Sequence, residues 1–89
     1  MPWVRFTRNL ERLVTVRDTR VVAVTVRAAL DACFVENPGV ARYVLDDQGA
    51  VRKHVVVFVN GEQIRDRSML SDPVADEDQI YVMQALSGG

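Results

Sequence analysis

Two glycines, Gly88 and Gly89, end the 89-residue chain, which contains only five glycines in all. Glycine weakens a strand and adds no side chain to a core, so the fold alone does not explain a terminal pair. At an average glycine content of about 7%, such a pair arises by chance in roughly one chain in 200. Because a tail without Cβ atoms can thread a narrow channel, the terminal carboxylate is our leading candidate for a reactive group.

Reactive side chains offer little chemistry elsewhere in the chain. The single cysteine, Cys33, and the single histidine, His54, have no metal-ligand spacing around them, and the acidic run at residues 76–78 lacks the spacing of a calcium loop. Neither a P-loop nor a GxGxxG sequence is present. We therefore expect no catalytic residues, no metal and no bound cofactor, with Cys33 in the core and His54 on the surface.

Composition predicts one small globular domain. The chain is 48% hydrophobic and 26% charged, and its net charge of −1 argues against nucleic acid as a partner. No apolar run approaches the roughly 18 residues of a membrane span, and the N-terminus lacks a signal-peptide core. With one cysteine as well, we expect a cytoplasmic protein without a membrane partner.

The first half of the chain predicts two strands and a helix. Residues 3–8 alternate apolar and polar side chains, and residues 16–23 predict a second strand. Residues 9–17 fit neither period, and we treat them as the turn between the two. Thr25 is the predicted N-cap of a helix that ends at Asn37-Pro38-Gly39, where proline removes a backbone donor. The apolar stripe of this helix comprises Val26, Ala29, Leu30, Cys33 and Phe34.

The second half predicts three strands. Residues 43–45 and 51–54 flank a loop or short hairpin, and the apolar run 55–59 predicts a strand that ends at the hairpin dipeptide Asn60-Gly61. A return strand is expected at 62–65 and a final strand at 79–86. One helix covering one face of about five strands gives a two-layer α+β domain.

Several segments resemble the ubiquitin-like β-grasp sulfur carriers, the family of the molybdopterin synthase small subunit and the thiamine-pathway sulfur carrier. They are VRF, TVRAALDACF followed by ENPGV, HVVVFVNGEQIR, IYVMQAL and the terminal Gly88-Gly89. The stretch LDDQGAVRKHVVVFVNGEQIRD looks most like the carriers of cysteine biosynthesis. The resemblance implies a β-grasp fold with a mixed sheet over residues 1–86 and a flexible tail at 87–89.

The resemblance also implies the chemistry of the tail. In this family an adenylating enzyme of the ubiquitin-activating type uses ATP to convert the terminal carboxylate to an acyl-adenylate, and sulfur then displaces AMP to leave a thiocarboxylate. Gly89 is expected to carry the sulfur, with Gly88 beside it, and the chain to act as a co-substrate. The expected acceptor resembles a cysteine synthase or the molybdopterin synthase large subunit, and a JAMM-type metalloprotease is a further expected partner.

Strand alternation predicts a docking surface on the sheet. Val55, Val57 and Val59 are assigned to the helix side together with Val4, Phe6, Ile80 and Val82, which leaves an apolar set on the opposite face. A central strand apolar on both faces, or a loop at 9–17 that covers the set, would explain the same pattern. The predicted docking residues are Val56, Phe58, Tyr81, Met83 and Leu86.

Two further interpretations stay open at this stage. The chain fits a protein modifier joined to lysines through Gly89, or a non-covalent β-grasp binding module with an inert tail. Interspersed basic residues also suggest a basic edge, although such surface charge is normal without a partner. The residues of that edge are Arg5, Arg52, Lys53, Arg65 and Arg67.

Overall fold

The computed structural model describes residues 1–7 and 18–84, and in these ranges it contains five strands and two helices. The predictions for residues 9–17, for the end of the last strand at 85–86 and for the tail at 87–89 lie outside the described residues. The strands are β1 (Trp3–Phe6), β2 (Thr19–Arg20), β3 (Val55–Val59), β4 (Glu62–Gln63) and β5 (Gln79–Gln84), and the helices are α1 (Val26–Glu36) and α2 (Ala41–Val44).

The strands form one mixed sheet in the order β2-β1-β5-β3-β4. β1 and β5 run parallel, whereas the other neighbouring pairs are antiparallel. β5 therefore occupies the centre of the sheet and is hydrogen-bonded on both sides. With α1 packed on one face, this is the predicted two-layer α+β arrangement of the β-grasp fold.

The core lies between α1 and one face of the sheet, where every second strand residue points inward. Val4, Val57, Ile80 and Val82 are fully buried, and Phe6 and Val55 nearly so, as the alternation predicted. From the helix, Val26, Ala29, Leu30 and Cys33 are fully buried. Phe34 and Val59 are only partly buried and pack against the edge of this core.

The N-terminus of α1 is closed by its own cap and by a distant loop. The Thr25 hydroxyl accepts a hydrogen bond from the Ala28 N–H at 3.1 Å, which confirms the predicted N-cap. The Val26 and Arg27 N–H groups donate to the carbonyls of Asp72 and Leu70, both at 2.9 Å. Leu70 is fully buried with φ of 55°, a left-handed conformation that leucine rarely adopts and that its burial and helix contact must stabilise.

The structure corrects the predicted strand lengths. Three strands are shorter than predicted within the described residues. The strand predicted at 3–8 ends at Phe6, and the strand predicted at 62–65 ends at Gln63. The strand predicted at 16–23 spans only Thr19–Arg20. β2 and β4 are edge strands with a neighbour on one side only, so fewer backbone hydrogen bonds define them.

The segment after α1 also differs from the prediction, because residues 41–44 form the short helix α2. This turn of helix buries Val40 and Val44 completely, and tertiary burial decides its conformation. The short hairpin predicted after it is present as a single bridge between Leu45 and Val51. Its turn is held by the Asp46 carboxylate, which accepts hydrogen bonds from the Gln48 and Ala50 N–H groups.

The hairpin turn between β3 and β4 is tied to the start of β5. Asn60 and Gly61 both have positive φ, 51° and 86°, as a type I′ turn requires. The Asn60 side chain donates to the Asp78 carboxylate at 2.7 Å and accepts from the Gln79 N–H at 2.9 Å. A hydrogen bond from the Ala75 N–H and, next, the one from Asn60 hold the pKa of the Asp78 carboxyl below its usual range.

We expect the Asp78 interactions to make stability depend on pH. Because folding lowers the pKa of Asp78, its contribution is present above the unfolded value of about 4 and is lost as the pH falls through the folded pKa. Asp78→Asn should therefore lower the urea midpoint at pH 7 and converge with the wild type near pH 2. Exposed Glu77→Gln is the control, and a constant gap between Asp78→Asn and wild type at every pH would contradict this role.

Candidate functional site

The central strand β5 is the element that leads to the tail. It pairs with β1 through residues 79–82 and with β3 through residues 80–84, so its backbone is held from both sides up to Val82 and from the β3 side up to Gln84. Gly88, Gly89 and Leu86 lie outside the described residues, and their roles stay predictions. The five residues that follow Gln84 reach at most about 18 Å when fully extended. A partner that uses Gly89 must therefore contact the domain within that distance.

The outer face of β3 and β5 carries four of the predicted docking residues side by side. Val56 lies opposite Met83 and Phe58 lies opposite Tyr81 in the antiparallel register. Tyr81 and Met83 are 41% and 38% exposed, whereas Val56 and Phe58 are half-buried. Phe58, Tyr81 and Met83 line an open depression of about 530 Å³. We call Val56, Phe58, Tyr81 and Met83 the outer patch.

Polar side chains flank the outer patch on both sides. Arg5 on β1 is the register partner of Tyr81, and its guanidinium donates to the Gln79 side chain at 2.7 Å and contacts Asp18 at 3.1 Å. On the other side, Gln63 on β4 lies opposite Phe58. An apolar centre with a polar border is typical of surfaces that bind proteins. The alternation of side chains along β3 and β5 could not show this border, because Arg5 and Gln63 belong to the neighbouring strands β1 and β4.

A second, larger depression of about 610 Å³ lies between the edge strand β2 and α1. Met1, Trp3 and Val22 line it together with the charged residues Asp18, Arg20 and Glu36. It is open to solvent, and none of the residues predicted to carry chemistry contributes to it. We therefore place the candidate site at the outer patch and the end of β5.

Cys33 and His54 occupy the positions that the sequence predicted. The Cys33 side chain is fully buried, and the Asn37 amide donates to its Sγ at 3.6 Å. Burial raises the pKa of the Cys33 thiol, so the thiol stays protonated and shielded at neutral pH. His54 is exposed beside Lys53. Among residues 1–7 and 18–84, no three side chains of the metal-binding types come together as a site.

The structure brings together only part of the basic edge that the sequence suggested. Arg5 lies on β1, two strands away from β3, and pairs with Asp18. Arg52 and Arg67 do meet, because the Arg67 guanidinium donates to the Arg52 carbonyl at 2.6 Å. Arg42, which the sequence did not single out, joins them by accepting a hydrogen bond from Arg52 at its carbonyl.

Comparison with known proteins identifies the family. A sequence model of the ThiS family matches residues 5–89, which includes both terminal glycines. The chain belongs to the ThiS family. Members of this family are small ubiquitin-like β-grasp carrier proteins, not enzymes. No curated protein sequence matches the chain.

Solved structures of similar fold cover 97% to 100% of this ThiS-family chain. The small archaeal modifier protein SAMP1 from Haloferax volcanii is 27% identical, with a TM-score of 0.81 over 99% of this chain and 98% of its own. CysO in the BexX/CysO complex of Amycolatopsis orientalis is 20% identical, with a TM-score of 0.83 and complete coverage of both chains. CysO of Mycobacterium tuberculosis is 19% identical, with a TM-score of 0.80 over 97% of this chain and 100% of its own.

No helix in the described part of this ThiS-family chain is long and apolar enough to cross a membrane.

We expect the Cys33 thiol to be unreactive while the protein is folded. A thiol reagent such as 5,5′-dithiobis(2-nitrobenzoate) should label native protein more than about a hundredfold slower than urea-unfolded protein, because labelling needs the core to open. Absorbance at constant pH measures both rates. Stoichiometric labelling of native protein within the mixing time would contradict the burial of this thiol.

Proposed function

We propose that the chain is a sulfur carrier whose reactive group is the Gly89 carboxylate. A partner enzyme transfers AMP from ATP to this carboxylate, with loss of pyrophosphate. A sulfide sulfur then attacks the carbonyl carbon, AMP leaves, and the product is a C-terminal thiocarboxylate. The observation that carries the proposal is the ThiS-family match, which runs to residue 89 and includes the terminal glycine pair.

The domain supplies binding and position, and the partner supplies catalysis. A carboxylate is a poor electrophile until one oxygen becomes part of a good leaving group, which adenylation provides. Among the described residues, the thiol of Cys33 is buried and His54 stands apart from any metal-ligand group. The chain would therefore act as a protein co-substrate that binds no cofactor itself, with ATP bound by the partner.

We propose the outer patch as the surface that the adenylating partner grips. The patch includes residues of β5, the same strand that continues toward Gly89, so a grip on Tyr81 and Met83 holds the start of the tail at a fixed place. The polar border of Arg5, Gln79 and Gln63 would set the orientation of the partner. Leu86, between patch and tail, is a proposed additional contact.

The sulfur acceptor that we favour resembles a cysteine synthase. The long segment between helix and hairpin that suggested this subgroup forms α2 and the loop around Asp46. The CysO structures share the fold of this chain over almost its full length. This likeness supports a carrier shape that such an acceptor would bind. A JAMM-type metalloprotease is a proposed further partner. A molybdopterin synthase large subunit, or an enzyme of another sulfur-containing metabolite, is the alternative acceptor.

A protein modifier is the second candidate function, because the 27% identical structure is a small archaeal modifier protein. A lysine amine of a target would then attack the carbonyl carbon of the Gly89 acyl-adenylate, AMP would leave, and an amide would form. Lys53 is the only lysine of this chain, which leaves little scope for self-linked chains. A non-covalent binding module, in contrast, would leave the tail unmodified.

Intact mass spectrometry tests the carrier proposal. After incubation with a cognate adenylating enzyme, ATP and sulfide, the chain should gain about 16 mass units, the difference between sulfur and oxygen. A variant that lacks Gly89 should gain nothing. If the wild-type chain also gains no mass with an enzyme that is active on another carrier, the carrier proposal is wrong. Amide-linked conjugates in a lysate, without the gain of about 16 mass units, would favour the protein modifier.

Charge in the outer patch should weaken the interaction with the adenylating enzyme. We expect Met83→Glu and Phe58→Glu each to raise the apparent KM for the carrier about tenfold, because a charge is then desolvated at the centre of the contact. Met69→Glu is the matched control, since Met69 is 69% exposed and its carbonyl accepts a hydrogen bond from Arg27 of α1, on the helix side of the sheet. Circular dichroism checks that all variants fold, and full activity of the double variant would refute the patch.

A further inference from the structure

The end of the sheet that leads to the tail carries exposed basic side chains. β3 and β5 are antiparallel, and Val55 at the start of β3 lies opposite Gln84 at the end of β5. Lys53 and His54 come directly before Val55, and both are exposed. The turn before β3 therefore lies at the same end of the sheet as the last described residue of β5.

Three arginines from separate parts of the chain gather at this turn. The Arg52 guanidinium donates to the Arg42 carbonyl, and the Arg67 guanidinium donates to the Arg52 carbonyl, each at 2.6 Å. The Val51 N–H donates to the Arg67 carbonyl at 2.8 Å and closes the group. We call Arg42, Arg52, Lys53 and Arg67 the tail-root cluster.

No ion pair among the described residues neutralises the positive charge of the tail-root cluster. Within residues 1–7 and 18–84 the ion pairs join the N-terminus to Asp76 and Arg5 to Asp18, and neither involves the cluster. Asp46 and Asp47 line a shallow hollow with Arg42 and Arg52, outside ion-pair distance. Even when both carboxylates are counted, the cluster keeps two excess positive charges.

The opposite end of β5 is acidic, so the net charge of −1 conceals a charge separation along the molecule. Asp76, Glu77 and Asp78 come directly before Gln79, the first residue of β5. The six residues of β5 span about 17 Å, which places the acidic turn and the tail-root cluster at opposite ends of the sheet. A dipole of this kind orients a molecule in the field of a charged partner.

We propose that the tail-root cluster binds an acidic protein surface beside the active site of the enzyme that activates Gly89. The proposal rests on the proposed function, and it adds an electrostatic contact to the apolar contact of the outer patch. An acidic border around the tail channel would attract the basic end and repel the acidic end of the domain. The domain would then meet the enzyme with its tail end leading, which speeds productive encounter.

The charge distribution favours an acidic protein over nucleic acid. Strong binding to a phosphate backbone needs many basic contacts along one face. The described part of this chain offers four such side chains at one end and an acidic turn at the other. A short acidic surface fits these dimensions.

The test measures activation of Gly89 by the adenylating enzyme as a function of salt. We expect Lys53→Glu to raise the apparent KM for the carrier about fivefold at 50 mM salt, with kcat unchanged, and the difference to shrink at 500 mM salt. Arg20→Glu is the matched control. It makes the same change of charge at the other end of the sheet, where Arg20 lies opposite Trp3 and Trp3 opposite Gln79.

Three outcomes would overturn the proposal. An equal rise in KM for Lys53→Glu and Arg20→Glu would mean that only net charge matters, and an unchanged KM for Lys53→Glu would mean that the cluster makes no contact. A gel shift of a 20-base-pair DNA duplex by wild type but not by Lys53→Glu would assign the cluster to nucleic acid. A wild type that gains no sulfur at all would reject the proposed function itself. A wild type that gains sulfur with the same KM as Lys53→Glu would reject only the role of the cluster.

Discussion

The backbone pairing of β5 on both sides is the constraint on which the rest of the structure depends. Parallel hydrogen bonds to β1 and antiparallel ones to β3 fix the strand in direction and in register. The register sends Ile80 and Val82 into the core and leaves Tyr81 and Met83 on the outer face. A slip by one residue would exchange these two sets, so the hydrophobic core and the outer patch are specified together.

The same pairing relates three separate features to the tail. The outer patch lies on the outer face of β5, the tail-root cluster lies at its end, and the acidic turn with Asp78 lies at its start. The proposed reaction at the terminus needs only a rigid starting point and a surface by which a partner holds the domain. An 89-residue chain can meet both needs without enclosing a catalytic pocket of its own.

Locally encoded features could be predicted from the sequence, and features that depend on distant neighbours could not. The helix was predicted because its cap at Thr25, its apolar stripe and its stop at Asn37 lie within one segment. The Asn60-Gly61 turn is equally local. The left-handed conformation of Leu70 was not predicted, because leucine disfavours it. Its stabilisation comes from distant neighbours: the side chain is buried in the core, and the carbonyl accepts a hydrogen bond from the Arg27 N–H of the helix.

The candidate site divides in the same way. The alternation of side chains along β3 and β5 was enough to place all four residues of the outer patch, Val56, Phe58, Tyr81 and Met83, on one face of the sheet. Three members of the tail-root cluster, Arg52, Lys53 and Arg67, belong to the basic edge that the sequence suggested. Arg42 was missed, because it meets Arg52 only through its backbone carbonyl. The role proposed for Gly89 rests on the family match and on carboxylate chemistry, not on the arrangement of side chains.

Localisation of the transferred sulfur tests the central claim most directly. After reaction with the adenylating enzyme, ATP and sulfide, tandem mass spectrometry of the intact chain should place a gain of about 16 mass units on C-terminal fragments that contain Gly89, because sulfur replaces oxygen there. A gain of mass only on fragments that lack Gly89, with the C-terminal fragments unchanged, would instead place the sulfur elsewhere in the chain. That result would contradict the assignment of the terminal carboxylate as the reactive group.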